Sequence, residues 1–385
     1  MEIVNMKRRD ILKGSAAMSL GMMNGDNGMA ADDENPFPPM EIVYKDPERY
    51  SPLAYLEKVH DETEPALAFD AKTVGDAEKW QKELRAKLWE ILGETHQPGA
   101  RIPSPHRIES VEADGYTREK WELEVVPGRS MPFYILRPRG MNRDTKTVLC
   151  LHGHGNGAKD LIDMAVDKET EELIRILNTD YAIQCVKKGW CAVVPELFGF
   201  GERVDLVEGA RAGFDGGCEK PSLNAIHLGK TLIGIRVKDV CMLIDWMESS
   251  NEFNMADLAC IGLSGGGMIT MYTSALDDRI KRALIAGYVT EDSGSILGIR
   301  HCSCTYVPGH GKWADFSDVA GLIAPRPLIV QCGKRDAIFP IESARKAFDK
   351  IKKVYEVRNV PDRLKLHEHN GFHEFWSPSL DSLFG

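Results

Sequence analysis

Short apolar runs alternate with helical patterns through the second half of the chain, and this alternation restricts the fold more than any other feature. The runs predict buried strands at 147–151, 190–195, 258–263, 282–287 and 327–332, with a last short strand at 363–367. Helical patterns fill most of the intervals, the longest of them at 228–249. Such alternation predicts a mostly parallel sheet with helices on both faces. Active sites in these sheets lie beyond the carboxyl ends of the strands.

Two further patterns precede this region. Residues 71–93 carry apolar side chains at three- and four-residue spacing and end at a glycine, which predicts an amphipathic helix. Residues 108–138 alternate polar and apolar side chains, and Asp114-Gly115 and Pro127-Gly128 are turn signals. We predict antiparallel strands there. The segment 35–64, rich in Pro, Asp, Glu and Tyr, is interpreted as an extended arm.

The chain is divided into three parts. Residues 1–35 hold Arg8-Arg9, a mildly apolar stretch and a small-residue site at 29–31. This resembles a twin-arginine export signal, so we expect a periplasmic or extracellular protein; the alternative is a disordered tail on a cytoplasmic one. Residues 36–106 form an amino-terminal arm and helical extension, and 107–385 form the catalytic domain.

Composition excludes several classes of function. The net charge of −10 argues against a nucleic-acid partner. No run of 18 apolar residues exists, so no membrane-spanning helix is expected. No phosphate-binding or dinucleotide fingerprint occurs, and we expect no cofactor. The nine scattered cysteines do not suggest a disulfide scaffold. No pattern indicates an oligomeric state.

A serine among glycines follows the strand at 258–263. Gly262-Leu263-Ser264-Gly265-Gly266 fits G-x-S-x-G, the sharp strand-to-helix turn that exposes a nucleophile. The turn is so tight that residues two positions either side of the serine have no room for side chains. A flexible glycine loop is the alternative interpretation. Ser264 is therefore the candidate nucleophile.

A serine nucleophile needs a histidine base, and the base needs a carboxylate to orient it. In this fold the expected chain order is Ser, Asp or Glu, His. Asp336 follows the strand at 327–332, and His373 follows the last strand. His367 and His369 compete for the role of base, but the Asn370-Gly371 turn favours His373. We predict the triad Ser264, Asp336 and His373.

The loop HGHG after the first parallel strand is the second part of the predicted site. An oxyanion hole in this fold combines the N–H after the nucleophile with an N–H from this early loop, here Gly265 and His154. Metal binding by the histidines is the rival interpretation. The spacing of binuclear hydrolases is absent, and the His301-Cys302-Ser303-Cys304 segment lacks a second CxxC. We therefore expect no metal site.

At these motifs the chain resembles the α/β-hydrolase superfamily, within it the bacterial acetyl xylan esterase and dienelactone-hydrolase-like branch. The resemblance spans roughly residues 145 to 376 and implies the same triad and oxyanion loop. Dienelactone hydrolases proper use a cysteine nucleophile, so their lactone substrate is not carried over. Six segments carry the resemblance: LCLHGHG (149–155), VVPELFGFGER (193–203), GKTLIGIRVKDVCMLIDWMES (229–249), GLSGGGM (262–268), APRPLIVQCGKRDAIFP (324–340) and GFHEF (371–375).

The expected activity is serine-dependent hydrolysis of a carboxylic ester, with a short acyl chain and an acetylated carbohydrate suggested by the resemblance. A serine peptidase, a metal-dependent hydrolase and a non-catalytic protein on the same scaffold are the alternatives. Glu196, Glu202 and Arg203 are candidates for lining the substrate pocket, or else for a structural salt bridge. The segments 205–227 and 301–311 are interpreted as loops over the site. Neither the acyl chain nor the alcohol is fixed by these patterns.

Overall fold

The computed structural model describes residues 48–101, 104–205 and 217–385. The segment predicted to be an export signal, residues 1–35, lies outside the described residues. The chain divides into two units, 1–52 and 53–385. Of the first unit the structure describes a 3₁₀ turn at Glu48–Tyr50 and the residues that follow it. Within the described residues, all strands belong to the second unit.

The second unit is built on one nine-stranded sheet with the order β1-β2-β3-β5-β4-β6-β7-β8-β9. β1 to β3 pair antiparallel with one another, and β3 pairs antiparallel with β5. From β5 to β9 all neighbours are parallel. The strands are β1 His106–Ala113, β2 Tyr116–Val126, β3 Arg129–Pro138, β4 Thr147–Leu151, β5 Cys191–Pro195, β6 Ala259–Leu263, β7 Arg282–Ala286, β8 Leu328–Gly333 and β9 Leu364–His369.

Helices cover both faces of the sheet. The two faces are distinguished by alternation along the strands: Leu149 and Leu151 of β4 belong to one apolar core, and Val148 and Cys150 to the other. The helices are α1 Pro52–Asp61, α2 Val74–Leu92, α3 Ala158–Leu161, α4 Lys168–Leu177, α5 Tyr181–Lys187, α6 Glu219–His227, α7 Leu232–Ser250, α8 Gly265–Leu276, α9 Phe316–Gly321 and α10 Ile341–Val357.

This architecture confirms the predicted fold class, and the predicted turns hold as well: Gly115 and Gly128 have positive φ values of 87° and 78°. Two local interpretations were wrong. Pro52–Asp61, predicted to be part of an extended arm, is a helix without buried residues. Glu219–His227, predicted to be part of a loop, is a helix that buries only Ser222 and Ala225.

α2 is part of the same core as the sheet. Its Thr73 cap accepts the N–H of Asp76, and Gly93 ends the helix in the left-handed conformation, at φ 68°. A Cβ on Gly93 would lie 2.0 Å from the carbonyl oxygen of Gly229, so only glycine allows this close approach. The helix therefore packs tightly beside the start of α7. Its buried apolar face comprises Ala77, Trp80, Leu84, Leu88 and Leu92.

α7 is the most buried of the long helices, and its carboxylates Asp239 and Asp245 are paired with arginines. Asp239 is buried and forms ion pairs with Arg129 and with Arg203, the latter at 2.8 Å. A buried carboxylate needs such partners because its transfer from water is costly. Among the described residues, no helix is both long enough and apolar enough to cross a membrane.

Leu88→Ala tests whether α2 is integral to the catalytic unit. The side chain is fully buried, so the truncation is expected to lower the free energy of unfolding by about 2–5 kcal/mol. Lys82→Ala, on the exposed face of the same helix, should change it by less than about 0.5 kcal/mol. Denaturant unfolding measures both. Equal, small effects would mean that α2 is only loosely attached.

Candidate active site

Ser264 lies at the turn between β6 and α8. Its backbone has φ 59° and ψ −122°, a conformation that costs free energy for a residue with a Cβ. The Ser264 N–H donates to the carbonyl of Ala286 in β7, and the Ser264 carbonyl accepts from Met268 in α8. These bonds hold the strained turn from both sides. The serine is therefore fixed at the carboxyl end of the sheet.

The glycines around the serine allow α8 to pack directly on β4. A Cβ on Gly266 would lie 1.9 Å from the carbonyl oxygen of Leu151, and one on Gly262 would lie 2.4 Å from Gly266. Both clashes are with backbone atoms, which cannot rotate away as a flexible side chain could. The predicted reason for these glycines, lack of room two positions either side of the serine, holds in the structure.

His373 and Asp336 are in direct contact. His373 Nδ1 lies 2.7 Å from Asp336 Oδ2. Asp336 is buried, and its other oxygen accepts the N–H groups of Ile338 and Phe339 at 2.8 and 2.9 Å. An ionised carboxylate in this position requires the proton of the imidazole to be on Nδ1, which leaves a lone pair on Nε2. His373 Nε2 is buried and has no hydrogen-bond partner among the described residues.

The His373 ring lies next to the nucleophile turn. A Cβ on Gly287, which has φ 53°, would lie 3.0 Å from His373 Cε1 and 3.2 Å from a methyl carbon of Leu263. Leu263 immediately precedes Ser264. The ring also stacks on Phe339, with centroids 5.5 Å apart. Gly287 thus provides the gap in which the imidazole approaches the turn.

The two competing histidines have other contacts. His367 Nδ1 lies 2.9 Å from the Ser379 hydroxyl, and His369 Nδ1 accepts the N–H of Gly371 at 3.2 Å. His369 is also parallel to the Trp376 ring. Burial lowers the pKa of both imidazoles. Of these three histidines, His373 is the one hydrogen-bonded to Asp336.

The loop after β4 packs against the nucleophile turn. A Cβ on Gly153 would lie 3.4 Å from Ser264 Cβ and 3.5 Å from the backbone nitrogen of Gly265. A Cβ on Gly265 would lie 3.4 Å from His154 Nδ1. The structure therefore brings together the two loop segments predicted to supply oxyanion-hole donors.

The candidate pocket residues after β5 have structural contacts. Glu196 is fully buried, accepts the N–H of Ala158 at 3.0 Å and lies 3.1 Å from His152 Nε2. Glu202 pairs with Lys120 at 2.6 Å. Arg203 donates to the Glu196 carbonyl at 2.9 Å and pairs with Asp239 of α7. These contacts agree with the alternative interpretation, a structural salt bridge.

Part of the segment 301–311 lies beside the catalytic histidine candidate. His301 Nε2 is 2.9 Å from the Ser295 hydroxyl, and its ring packs on Phe339, which also stacks on His373. Burial is the main cause that lowers the pKa of His301 to about 4, and the neighbouring His373 imidazole contributes by electrostatic repulsion whenever it is protonated. His301 is therefore uncharged near neutral pH and makes this wall of the site apolar to weakly polar.

The structure reveals a His/Cys cluster that the sequence did not predict. His154 Nε2 lies 3.6 Å from Cys304 Sγ and 4.0 Å from Cys218 Sγ. Cys302 is the fourth member of the cluster. Burial by itself lowers the pKa of His154, but hydrogen bonds to Cys218 and Cys304 outweigh it and raise the pKa to about 9. Hydrogen bonds from Cys218 and Cys302 hold the pKa of Cys304 well below its usual range.

This cluster was missed because its members are far apart in the chain. The Cys302-Ser303-Cys304 spacing was the available signal, and it was set aside for want of a second CxxC. The remaining ligand types come instead from two other segments, at His154 and Cys218.

The chain is similar in sequence to a known family and to a bacterial protein. The model of the Abhydrolase family matches residues 45–376. A Bacillus subtilis (strain 168) protein named "Putative hydrolase YtaP" is 26% identical over 289 residues, covering 73% of this chain and 89% of that protein.

Two solved structures illustrate the likeness in fold. A Bacteroides fragilis NCTC 9343 protein named as a "putative acetyl xylan esterase" is 23% identical, with a TM-score of 0.70, and the match covers 83% of this chain and 82% of that one. A CE15 glucuronoyl esterase from Teredinibacter turnerae T7901 is 15% identical, with a TM-score of 0.56 and 97% of both chains covered. At these identities the likeness shows the fold.

Gly266→Ala tests the close packing of the turn on β4. Helix propensity alone favours alanine by about 1 kcal/mol, whereas the clash with the Leu151 carbonyl is expected to reverse the sign and destabilise the protein by about 1–3 kcal/mol or more. Gly311→Ala is the control, because a Cβ there meets nothing within 4 Å. Thermal and denaturant unfolding compare the two. A stabilised Gly266→Ala protein would contradict the packing described here.

Proposed function

The chain belongs to the Abhydrolase family, and on that premise we propose that it is a serine esterase that forms an acyl-enzyme on Ser264. The observation that carries the proposal is the His373–Asp336 pair beside the nucleophile turn. His373 Nδ1 lies 2.7 Å from Oδ2 of the buried Asp336. His373 Nε2 has no hydrogen-bond partner among the described residues. An imidazole oriented in this way can act as the general base, although the structure shows no hydrogen bond between His373 and the Ser264 hydroxyl.

In the first step Ser264 attacks the ester carbonyl while His373 Nε2 accepts the hydroxyl proton. The imidazole becomes positively charged, and Asp336 stabilises that charge because it is an ionised carboxylate already hydrogen-bonded to Nδ1. Two backbone N–H groups hold Asp336 in place. The carboxylate thus orients the base and needs no rearrangement during the reaction.

Negative charge then develops on the carbonyl oxygen. We assign its stabilisation to the N–H of Gly265, at the start of α8, and to the N–H of His154. The helix start contributes its positive dipole end as well. The packing of Gly153 against Ser264 and Gly265 supports this assignment. One such donor contributes roughly 10²–10³-fold to the rate in enzymes of this kind.

In the second half of the reaction the proton on His373 passes to the departing alcohol, and the acyl group remains on Ser264. Water then occupies the place of the alcohol, gives a proton to Nε2 and attacks the acyl carbonyl. The acid leaves and the serine is restored. The scheme requires no cofactor.

For the substrate we propose a carboxylic ester with a short acyl part, such as an acetylated carbohydrate. Structural neighbours named as an acetyl xylan esterase and a glucuronoyl esterase support the reaction class. We also propose that the protein is exported. That proposal rests on Arg8-Arg9 and the apolar stretch after them, which lie outside the described residues.

Ser264→Ala is expected to abolish hydrolysis of a p-nitrophenyl ester series of rising acyl length. The loss in kcat should be at least about 10³-fold, because no other group supplies the nucleophile. Ser249→Ala, at an exposed position of α7, is the control and should retain full activity. Short-chain activity that survives Ser264→Ala, and is lost on chelation, would replace the proposal with metal-dependent hydrolysis.

The base is tested by comparing His373→Ala with His367→Ala. Removing the His373 ring should lower kcat by about 10³-fold or more, since Ser264 then has no proton acceptor. Removing His367 breaks its contacts with the Ser379 hydroxyl and the Trp376 ring and should leave kcat unchanged in the folded protein. Steady-state kinetics on the best ester from the series measures both. Equal losses would point to a structural effect in place of a catalytic one.

A further inference from the structure

A cluster of one imidazole and three thiols includes His154 of the loop after β4. Three separate segments supply it: His154 from that loop, Cys218 just before α6, and Cys302 and Cys304 from the short 3₁₀ turn near residue 303. The four ligand atoms all lie within 4.8 Å of one another. Cys218 and Cys304 are buried, with exposures of 0% and 1%.

The spacing suits a tetrahedral metal ion. With Zn–S bonds of about 2.3 Å and Zn–N bonds of about 2.0–2.1 Å, a regular tetrahedron puts neighbouring ligand atoms about 3.6–3.8 Å apart. The two separations of His154 Nε2 from sulfur, 3.6 Å to Cys304 and 4.0 Å to Cys218, fall close to this edge length. The other ligand-atom separations are all within 4.8 Å, so none exceeds this edge length by more than about 1 Å.

The charge of the surrounding residues also suits a bound divalent metal ion. A divalent ion with three thiolates and a neutral imidazole carries a net charge of −1. Arg236 of α7 is 1% exposed, and its Nη2 donates to Cys218 Sγ at 3.2 Å. Its Nε donates to the carbonyl of Phe198, which supplies no charge. A buried guanidinium needs a compensating anion, and the metal–thiolate group would provide one of equal magnitude.

We propose that His154, Cys218, Cys302 and Cys304 form a structural zinc site. Three soft thiolates and one imidazole select zinc over the hard cations Mg²⁺ and Ca²⁺, which prefer oxygen. Four protein ligands close the coordination sphere, so the ion has no open position for water or substrate. The site is therefore distinct from the metal-dependent hydrolase considered above, and it leaves Ser264 as the nucleophile.

The ion would fix the loop that carries the second oxyanion-hole donor. His154 contributes its ring to the cluster, while its backbone N–H is the group assigned to the oxyanion. This consequence rests on the proposed function, whereas the metal site itself does not. Removal of the ion is expected to lower kcat about 10–100-fold while KM changes little, the pattern of a lost transition-state contact.

The test is metal content, measured on full-length protein purified without a metal-affinity tag. Inductively coupled plasma mass spectrometry should find about one zinc per chain. Cobalt exchanged into the protein should give the visible and thiolate charge-transfer absorption of tetrahedral Co²⁺ with sulfur ligands. Cys304→Ser should lose both signals, and Cys185→Ser, a buried thiol of α5 outside the cluster, should keep both.

Cys302→Ser is a second variant for the case that Cys304→Ser misfolds. Cys302 is the only partly buried thiol of the cluster, so its replacement disturbs the core least. Folded Cys302→Ser protein with weakened cobalt affinity and an altered charge-transfer band supports the site. The proposal would be overturned if Cys218, Cys302 and Cys304 of the wild-type protein were metal-free and reacted with a thiol reagent, or if two of them formed a disulfide. Equal loss of metal in Cys185→Ser would overturn it as well. Stoichiometric zinc together with full activity in Ser264→Ala would instead refute only the proposed function.

Discussion

The contact between the start of α8 and the end of β4 is the constraint on which the site depends. Gly266 packs against the Leu151 carbonyl, and a single methyl group there would lie 1.9 Å from that oxygen. This approach puts the HGHG loop beside both Ser264 and Gly265. The strained serine, the glycines around it and the loop facing it are thus parts of one packing arrangement.

Local patterns predicted the parts of the fold that are themselves local. β4, β5, β6 and β8 bury every residue, and a continuous apolar run in the sequence indicates that directly. The edge strand β9 buries only Leu364 and His369. Because strand ends converge at one edge, the positions of Ser264, Asp336 and His373 after their strands predict that the three lie close together. The structure shows Asp336 in contact with His373, whose ring lies beside the turn that carries Ser264. That Asp336 pairs with His373 and with neither His367 nor His369 depended on a turn, and the turn was visible as Asn370-Gly371.

The misses have physical causes. α1 carries Leu53, Leu56 and Val59 at helical spacing but buries none of them, and the signal was outweighed by the Pro- and acid-rich composition of residues 35–64. α6 buries only Ser222 and Ala225 and is a short helix beside a glycine-rich stretch. The His/Cys cluster was out of reach because only the tertiary structure brings Cys218 and His154 to residues 302–304. Arg236, whose partner is also distant in sequence, could be recognised as part of this cluster only from its burial and its contact with Cys218.

The backbone hydrogen bonds at the site join neighbouring strands of the sheet. Ser264 is bonded to Ala286 in β7, and the next residue along from Ala286, Gly287, is bonded to Gln331 in β8, the strand that leads to Asp336. The positions of Ser264 and Asp336 relative to each other are therefore set by the lateral spacing of three neighbouring strands. A shift in the register of any one of these strands would move the serine away from the carboxylate.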